Sequence, residues 1–109
     1  MIIGLHVQVT VNRPLGSTHP EHHTIQYPLN YGYVAGVIGG DGEPQDAYVL
    51  DVATPVRQQT GYVVAIIHRR DDNETKWVVA PKFRFVTEAE VRKATNFQEK
   101  YFQDDIWLL

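Results

Sequence analysis

Helix signals in this chain are confined to its C-terminal part, and the rest is short alternating or β-branched segments broken by Gly and Pro. Ile3, Leu5, Val7, Val9 and Val11 alternate with Gly4, His6, Gln8 and Thr10. That period of two belongs to a half-buried strand. Further strands are expected at Ala47 to Val52, Gly61 to Arg69 and Lys76 to Pro81, each rich in β-branched or aromatic residues and bounded by turn formers. Asn12 to Asn30, interrupted by Pro14, Gly16, Pro20 and Pro28, reads as an ordered loop. Arg70 to Thr75 reads as a hairpin loop with an acidic tip.

Thr87 and Glu90 form a capping-box signature, with Val91 and Ala94 one turn apart behind it, and Asn96 with Glu99 repeats the signal. Two short helices or one kinked helix are expected there. A sheet this small needs closure or cover to protect its edges. The expected fold is therefore mainly β (α+β): a small closed antiparallel barrel with a C-terminal helix or helices packed outside. Phe97, Tyr101, Phe102, Ile106 and Trp107 would hold the tail on the strands, and their number predicts self-association as a homo-oligomer.

At 109 residues the chain reads as one domain, 1–109, too short for a Rossmann enzyme or a TIM barrel. The longest apolar run, Val63 to Ile67, is far below the ~20 residues of a spanning helix, so no membrane partner is expected. The N-terminus opens on the alternating segment without a secretory pattern, and a cytoplasmic protein is expected. With no Cys, thiolate zinc sites, disulfides and cysteine nucleophiles are excluded. A net charge of −3 argues against nucleic acid as a partner.

Two acidic groups stand out. Asp41, Glu43 and Asp46 surround Gly42 and Pro44, so one tight turn gathers their carboxylates, and Asp71, Asp72 and Glu74 occupy the hairpin tip beside Arg69, Arg70 and Lys76. Clustered carboxylates repel, and a hard divalent cation such as Mg²⁺ compensates them through oxygen ligands. Either group taken alone is equally a solvated turn. His19, Glu21, His22 and His23 lack the constellation of a tetrahedral metal site and read as surface loop. Tyr27, Tyr31 and Tyr33 have no basic groove beside them, which favours packing and hydroxyl contacts over base stacking. Ser17 and Thr18 lack the context of a serine hydrolase.

The string Tyr27-Pro28-Leu29-Asn30-Tyr31-Gly32-Tyr33, followed after Val34 to Gly40 by Asp41-Gly42-Glu43-Pro44-Gln45-Asp46 and a hydrophobic run, resembles the signature of soluble family I inorganic pyrophosphatases. The likeness continues through Asp71 to Pro81 and, faintly, Phe97 to Tyr101. It implies an oligonucleotide/oligosaccharide-binding-like barrel and Mg²⁺-dependent hydrolysis of pyrophosphate, a small-molecule substrate, with Mn²⁺ as a possible substitute. Carried over, Asp41, Asp46 and Glu74 become the principal metal ligands, with Asp46 shared between two ions and Asp71 or Asp72 completing a further ion site. Glu43 assists deprotonation of the attacking water, and Tyr31 and Asp46 share the catalytic centre. Tyr31, Lys76 and Tyr101 contact phosphate oxygens, with Arg13 or His19 standing in for an expected Arg. The mechanism implied is in-line attack by a metal-activated water, with further charge dispersed over metals and cations.

The sequence also departs from that pattern. Ile2 to Val11 contains no Lys, Arg or acid, His19 occupies the place of an expected Arg with Arg13 nearby, Glu43 replaces an Asp, and Phe102 stands where a Lys is expected. The alternatives are a non-catalytic metal- and phosphate-binding module on the same barrel, or a hydrolase of another phosphoanhydride.

Overall fold

A computed structural model describes residues 1–109. Its elements in chain order are strands β1 (His6–Arg13), β2 (Asn30–Ile38), β3 (Pro44–Val49), β4 (Gln58–Arg69) and β5 (Thr75–Ala80), helix α1 (Glu88–Glu99) and strand β6 (Asp104–Trp107). The sheet order is β1-β2-β3-β5-β4-β6, and β1 also pairs with β4, which closes the first five strands into a barrel. The expected barrel with a helix outside is what forms, with one difference in its seams. β3 and β5 run parallel while all other pairings are antiparallel, so the barrel is mixed.

Two apolar layers follow from the alternation. Val9, Val34, Ala47, Val49, Val63, Ile66, Trp77 and Val79 come from all five barrel strands and fill the interior. Tyr48, Val64, Ala65, Ile67, Val78 and Ala80 point outward and are roofed by Val91 of α1. The two layers meet in β4, where the register against β5 shifts between Val63 and Ala65. This bulge inserts an extra residue, so Val64 and Ala65 both face the helix side.

Several boundaries differ from expectation. β1 starts at His6 rather than Ile3, because Gly4 adopts φ 100° and the Leu5 N–H bonds to the Ile2 carbonyl, leaving Leu5 exposed. β2 occupies part of the tyrosine-rich string that carried no strand assignment. One helix forms instead of two, and Asn96 lies inside it, its carbonyl accepting the Lys100 N–H. The capping box is present: Thr87 Oγ1 accepts from the Glu90 N–H at 3.2 Å, and Glu90 accepts from the Thr87 N–H at 3.0 Å. The tail forms β6, added to the C-terminal half of β4. Of the tail residues expected to offer apolar surface, Phe97 and Ile106 pack on the core, and Tyr101 and Trp107 remain exposed. No helix is long and apolar enough to cross a membrane.

Candidate active site

Strand register places the chemistry on the outer face of the barrel, beside α1. The parallel pairing Ala47↔Trp77 sets Asp46 next to Lys76, Tyr31 lies opposite Tyr48, and Lys76 lies opposite Ile67. Tyr48, Val78 and Ile67 belong to the helix-covered layer. Alternation then puts Tyr31, Asp46, Lys76 and Arg69 on that same face. Gly32, between Tyr31 and Tyr33, is required by close approach: a Cβ there would sit 1.8 Å from the Thr10 carbonyl oxygen.

A cavity of about 610 Å³ opens on this face. Tyr31, Asp46, Lys76, Tyr101, Arg13 and His19, all singled out from the sequence, line it together with Arg69 and Gln98. A second, small cleft of about 10 Å³, room for one water-sized guest, has Asp41, Asp46 and Glu74 in its lining. Asp46 is common to both. Glu43, Asp71 and Asp72 line neither cavity. The Glu43 backbone N–H donates to Asp41 Oδ1 at 3.0 Å, which shapes the turn. Asp71 Oδ1 accepts from the Gln103 N–H, and Asp72 Oδ1 from the Glu74 N–H, both at 3.1 Å.

The charges are arranged in a chain. Lys76, buried, hydrogen-bonds Asp46 Oδ2 and lies 3.5 Å from Glu74 Oε2. Glu74 also approaches Arg69 Nη1 at 3.3 Å. Arg69 is itself buried and makes a two-pronged pair with Glu99, Nε to Oε1 at 2.8 Å and Nη2 to Oε2 at 2.7 Å. Glu99 Oε2 in turn accepts from the Tyr48 hydroxyl at 2.5 Å. Against burial, which disfavours charge, the oxygens of Tyr31 and Asp46 hold the Lys76 ammonium above the ordinary lysine range. Burial raises the Tyr31 hydroxyl, opposed by Lys76, so Tyr31 is a proton donor at any physiological pH. Burial also raises Glu74; Lys76 opposes this, while the neighbouring Asp41 carboxyl reinforces it. Asp41 itself is lowered, chiefly by the Glu43 N–H.

The donor set fits a hard divalent ion. Asp41, Asp46 and Glu74 bring carboxylate oxygens to the small cleft, and Mg²⁺ asks for only one or two carboxylates beside water and substrate oxygens. In the arrangement seen, with Asp46 turned onto Lys76, no three acidic or histidine side chains already converge on a single point. The histidines of the 14–29 loop likewise form no metal cluster: His19 Nδ1 accepts from the backbone N–H groups of Glu21 and His22.

Comparison with solved structures bears on this arrangement. The chain superposes on the crystal structure of an inorganic pyrophosphatase from Ehrlichia chaffeensis with a TM-score of 0.72, at 16% identity, over 94% of this chain and 85% of that one. It has the inorganic pyrophosphatase fold. The enzyme of that name from Neisseria gonorrhoeae matches with a TM-score of 0.70 at 18% identity, over 90% of this chain and 74% of that one. The inorganic pyrophosphatase from Helicobacter pylori matches at 0.60 and 17% identity, over 100% of this chain and 84% of that one. No protein-family model and no curated protein sequence matches the chain. Phe102, where the sequence resemblance expects a Lys, backs a cation from elsewhere: the Arg69 guanidinium lies 3.7 Å from the centre of its ring. The roles of Arg69, Tyr48, Gln98 and Glu99 in anchoring α1 to the barrel escape sequence reasoning, because the contacts between the strands and the helix span 30 residues or more. The one available signal was the position of Arg69 on the same strand face as Ile67.

Proposed function

We propose that the protein hydrolyses inorganic pyrophosphate to two phosphates with Mg²⁺, Mn²⁺ being a workable substitute. The observation that carries this reading is Asp46, the one side chain shared by an ion-sized acidic cleft and a larger cavity lined by Lys76, Arg13 and Arg69. Asp41, Asp46 and Glu74 would hold the ion, which when bound supplies charge neutralisation and lowers the pKa of water. Lys76 and Arg13 take the phosphate oxygens, with His19 and Tyr101 at the walls of the cavity. Tyr31, kept protonated, donates a hydrogen bond to the same group. A water oxygen adds to one phosphorus as the bridging oxygen leaves on the other phosphate, and the cations meet charge as it develops. Glu43, Asp71 and Asp72 carry no role in this reading.

A specific observation favours a second reading, a binding module without turnover. Asp46 and Glu74 are already neutralised by Lys76 and Arg69 inside the protein. Phosphate release from pyrophosphate, with and without Mg²⁺, separates the two. Release that requires Mg²⁺ supports hydrolysis. A rise in melting temperature with Mg²⁺ and pyrophosphate but no phosphate released supports the module, and neither effect removes both.

A further inference from the structure

The 610 Å³ cavity has two chemically different ends. One holds Asp46, Lys76 and Arg69. The other is walled by the 14–29 loop, which contributes His19, His22, Thr24 and Ile25. A row of rings joins them. His22 and His19 have centroids 4.8 Å apart, His19 lies parallel to Tyr27 within 10° at 6.3 Å, and Tyr27 is 5.7 Å from Tyr31. Lys76 Nζ then lies 5.9 Å from the Tyr31 ring. The loop is held by its own ladder: a bridge between Thr18 and Gln26, the Gly16 and Tyr27 N–H groups bonded to the Tyr27 and Ser17 carbonyls, and the His19 N–H to that of Ile25. The wall is thus built before any ligand arrives.

Pyrophosphate has no apolar surface to offer such a wall. The volume lies within the range of sites that enclose organic ligands, ~300–1,000 Å³, and flat faces of His and Tyr beside Ile25 are what a heteroaromatic ring packs on. We infer that the site takes a pyrophosphate esterified at one end by an organic group with an aromatic ring, a nucleoside diphosphate in chemical class. Its diphosphate would sit at Asp46, Lys76 and Arg69, and its ring on the His19, His22 and Ile25 wall. This rests on the hydrolytic reading above. In the reaction water adds to the terminal phosphorus, the bridging oxygen departs with the organic monophosphate, and the water proton is released with inorganic phosphate.

Two non-hydrolysable ligands with the same head group isolate the nucleoside, and the double substitution at the ring-facing wall then isolates its base: α,β-methylene-ADP and methyl methylenediphosphonate, titrated with Mg²⁺ by calorimetry. The expected result is at least ~10-fold tighter binding of the adenosine compound, the scale of one base–aromatic stack. His22→Ala, at an exposed position, combined with Ile25→Ser, at a half-buried one, should reduce that ratio to near unity, with the fold checked by circular dichroism. Equal affinities in the wild type, or a ratio unchanged by the double substitution, overturn the inference. Pyrophosphate hydrolysis measured in parallel keeps the two readings apart. If pyrophosphate is turned over while the two analogues bind alike, only the organic substrate is lost. If pyrophosphate is not hydrolysed, whether or not it binds, the hydrolytic reading falls and this inference with it.

Discussion

Arg69 is a buried cation fixed by Glu99 from α1 and by Glu74 and Asp72 from the β4–β5 loop, with Phe102 stacked against it. A pair so enclosed is costly to desolvate, and its removal by halves leaves an uncompensated charge. Glu99→Ala should therefore destabilise the fold by ~3–5 kcal/mol, whereas Glu88→Ala, which breaks the exposed pair with Arg92, should cost under ~1 kcal/mol. Urea denaturation of both variants measures the contrast, and equal losses would contradict it. The buried hydroxyls give a pH signature. Burial raises Tyr31 and Tyr48 above their ordinary value of 10.0, with Glu99 adding to the shift at Tyr48. Above pH 10 the unfolded chain therefore loses protons that the folded chain keeps, and stability falls as pH rises. Melting temperature should decline from about pH 10 upward, with no contribution from these groups below about pH 9. A flat profile to pH 11 would refute the assignment.

Strand β2 shows why a regular element can be invisible in its own residues. Its buried positions are Asn30, Gly32 and Val34, so the alternation is real while the apolar pattern is not. Asn30 is buried because its side chain accepts from the N–H groups of Leu15 and Val56 and donates to the Thr54 carbonyl. Gly32 is buried because the Thr10 carbonyl occupies the space of a side chain. Gly32→Ala should prevent closure of β1 on β2 and yield insoluble or unfolded protein. Gly61→Ala should act similarly, its Cβ falling 2.3 Å from the Ala80 carbonyl oxygen. Gly40→Ala, in open space, should change stability by no more than ~0.5 kcal/mol. Expression and thermal melting of the three variants decide this. Helix α1 was readable at its start, where Thr87 and Glu90 are local partners, and not at its end. The signal at Asn96 was overridden by Ala94 and Phe97 packing on the core and by Glu99 reaching Arg69. β6, of 4 residues, exists because the free edge of β4 recruits it.

For the molecule as a whole, the features readable from sequence were those in which a short string encodes its own geometry: the Asp41–Asp46 turn, the Arg70–Thr75 hairpin and the capping box. Barrel closure and the union of Asp46 with Lys76 depend on a parallel pairing between strands separated by all of β4. The sequence alone therefore did not separate the acids that line the small cleft, Asp41, Asp46 and Glu74, from those that do not. The barrel shares its fold with pyrophosphatases at 16–18% identity, which fits a core defined by alternation and a few close backbone approaches more than by particular side chains. The central claim is that hydrolysis depends on the carboxylate shared by both cavities and not on Asp71 of the hairpin tip, which lines neither. Mg²⁺-dependent phosphate release from pyrophosphate by Asp46→Asn and Asp71→Asn, each confirmed folded by its melting curve, tests it directly. The account predicts a loss of ~10²–10³-fold for Asp46→Asn, the scale of one preorganised electrostatic contact, and a change of no more than ~3-fold, within ordinary context dependence, for Asp71→Asn. Wild-type rates in Asp46→Asn, or equal losses in both, would contradict it.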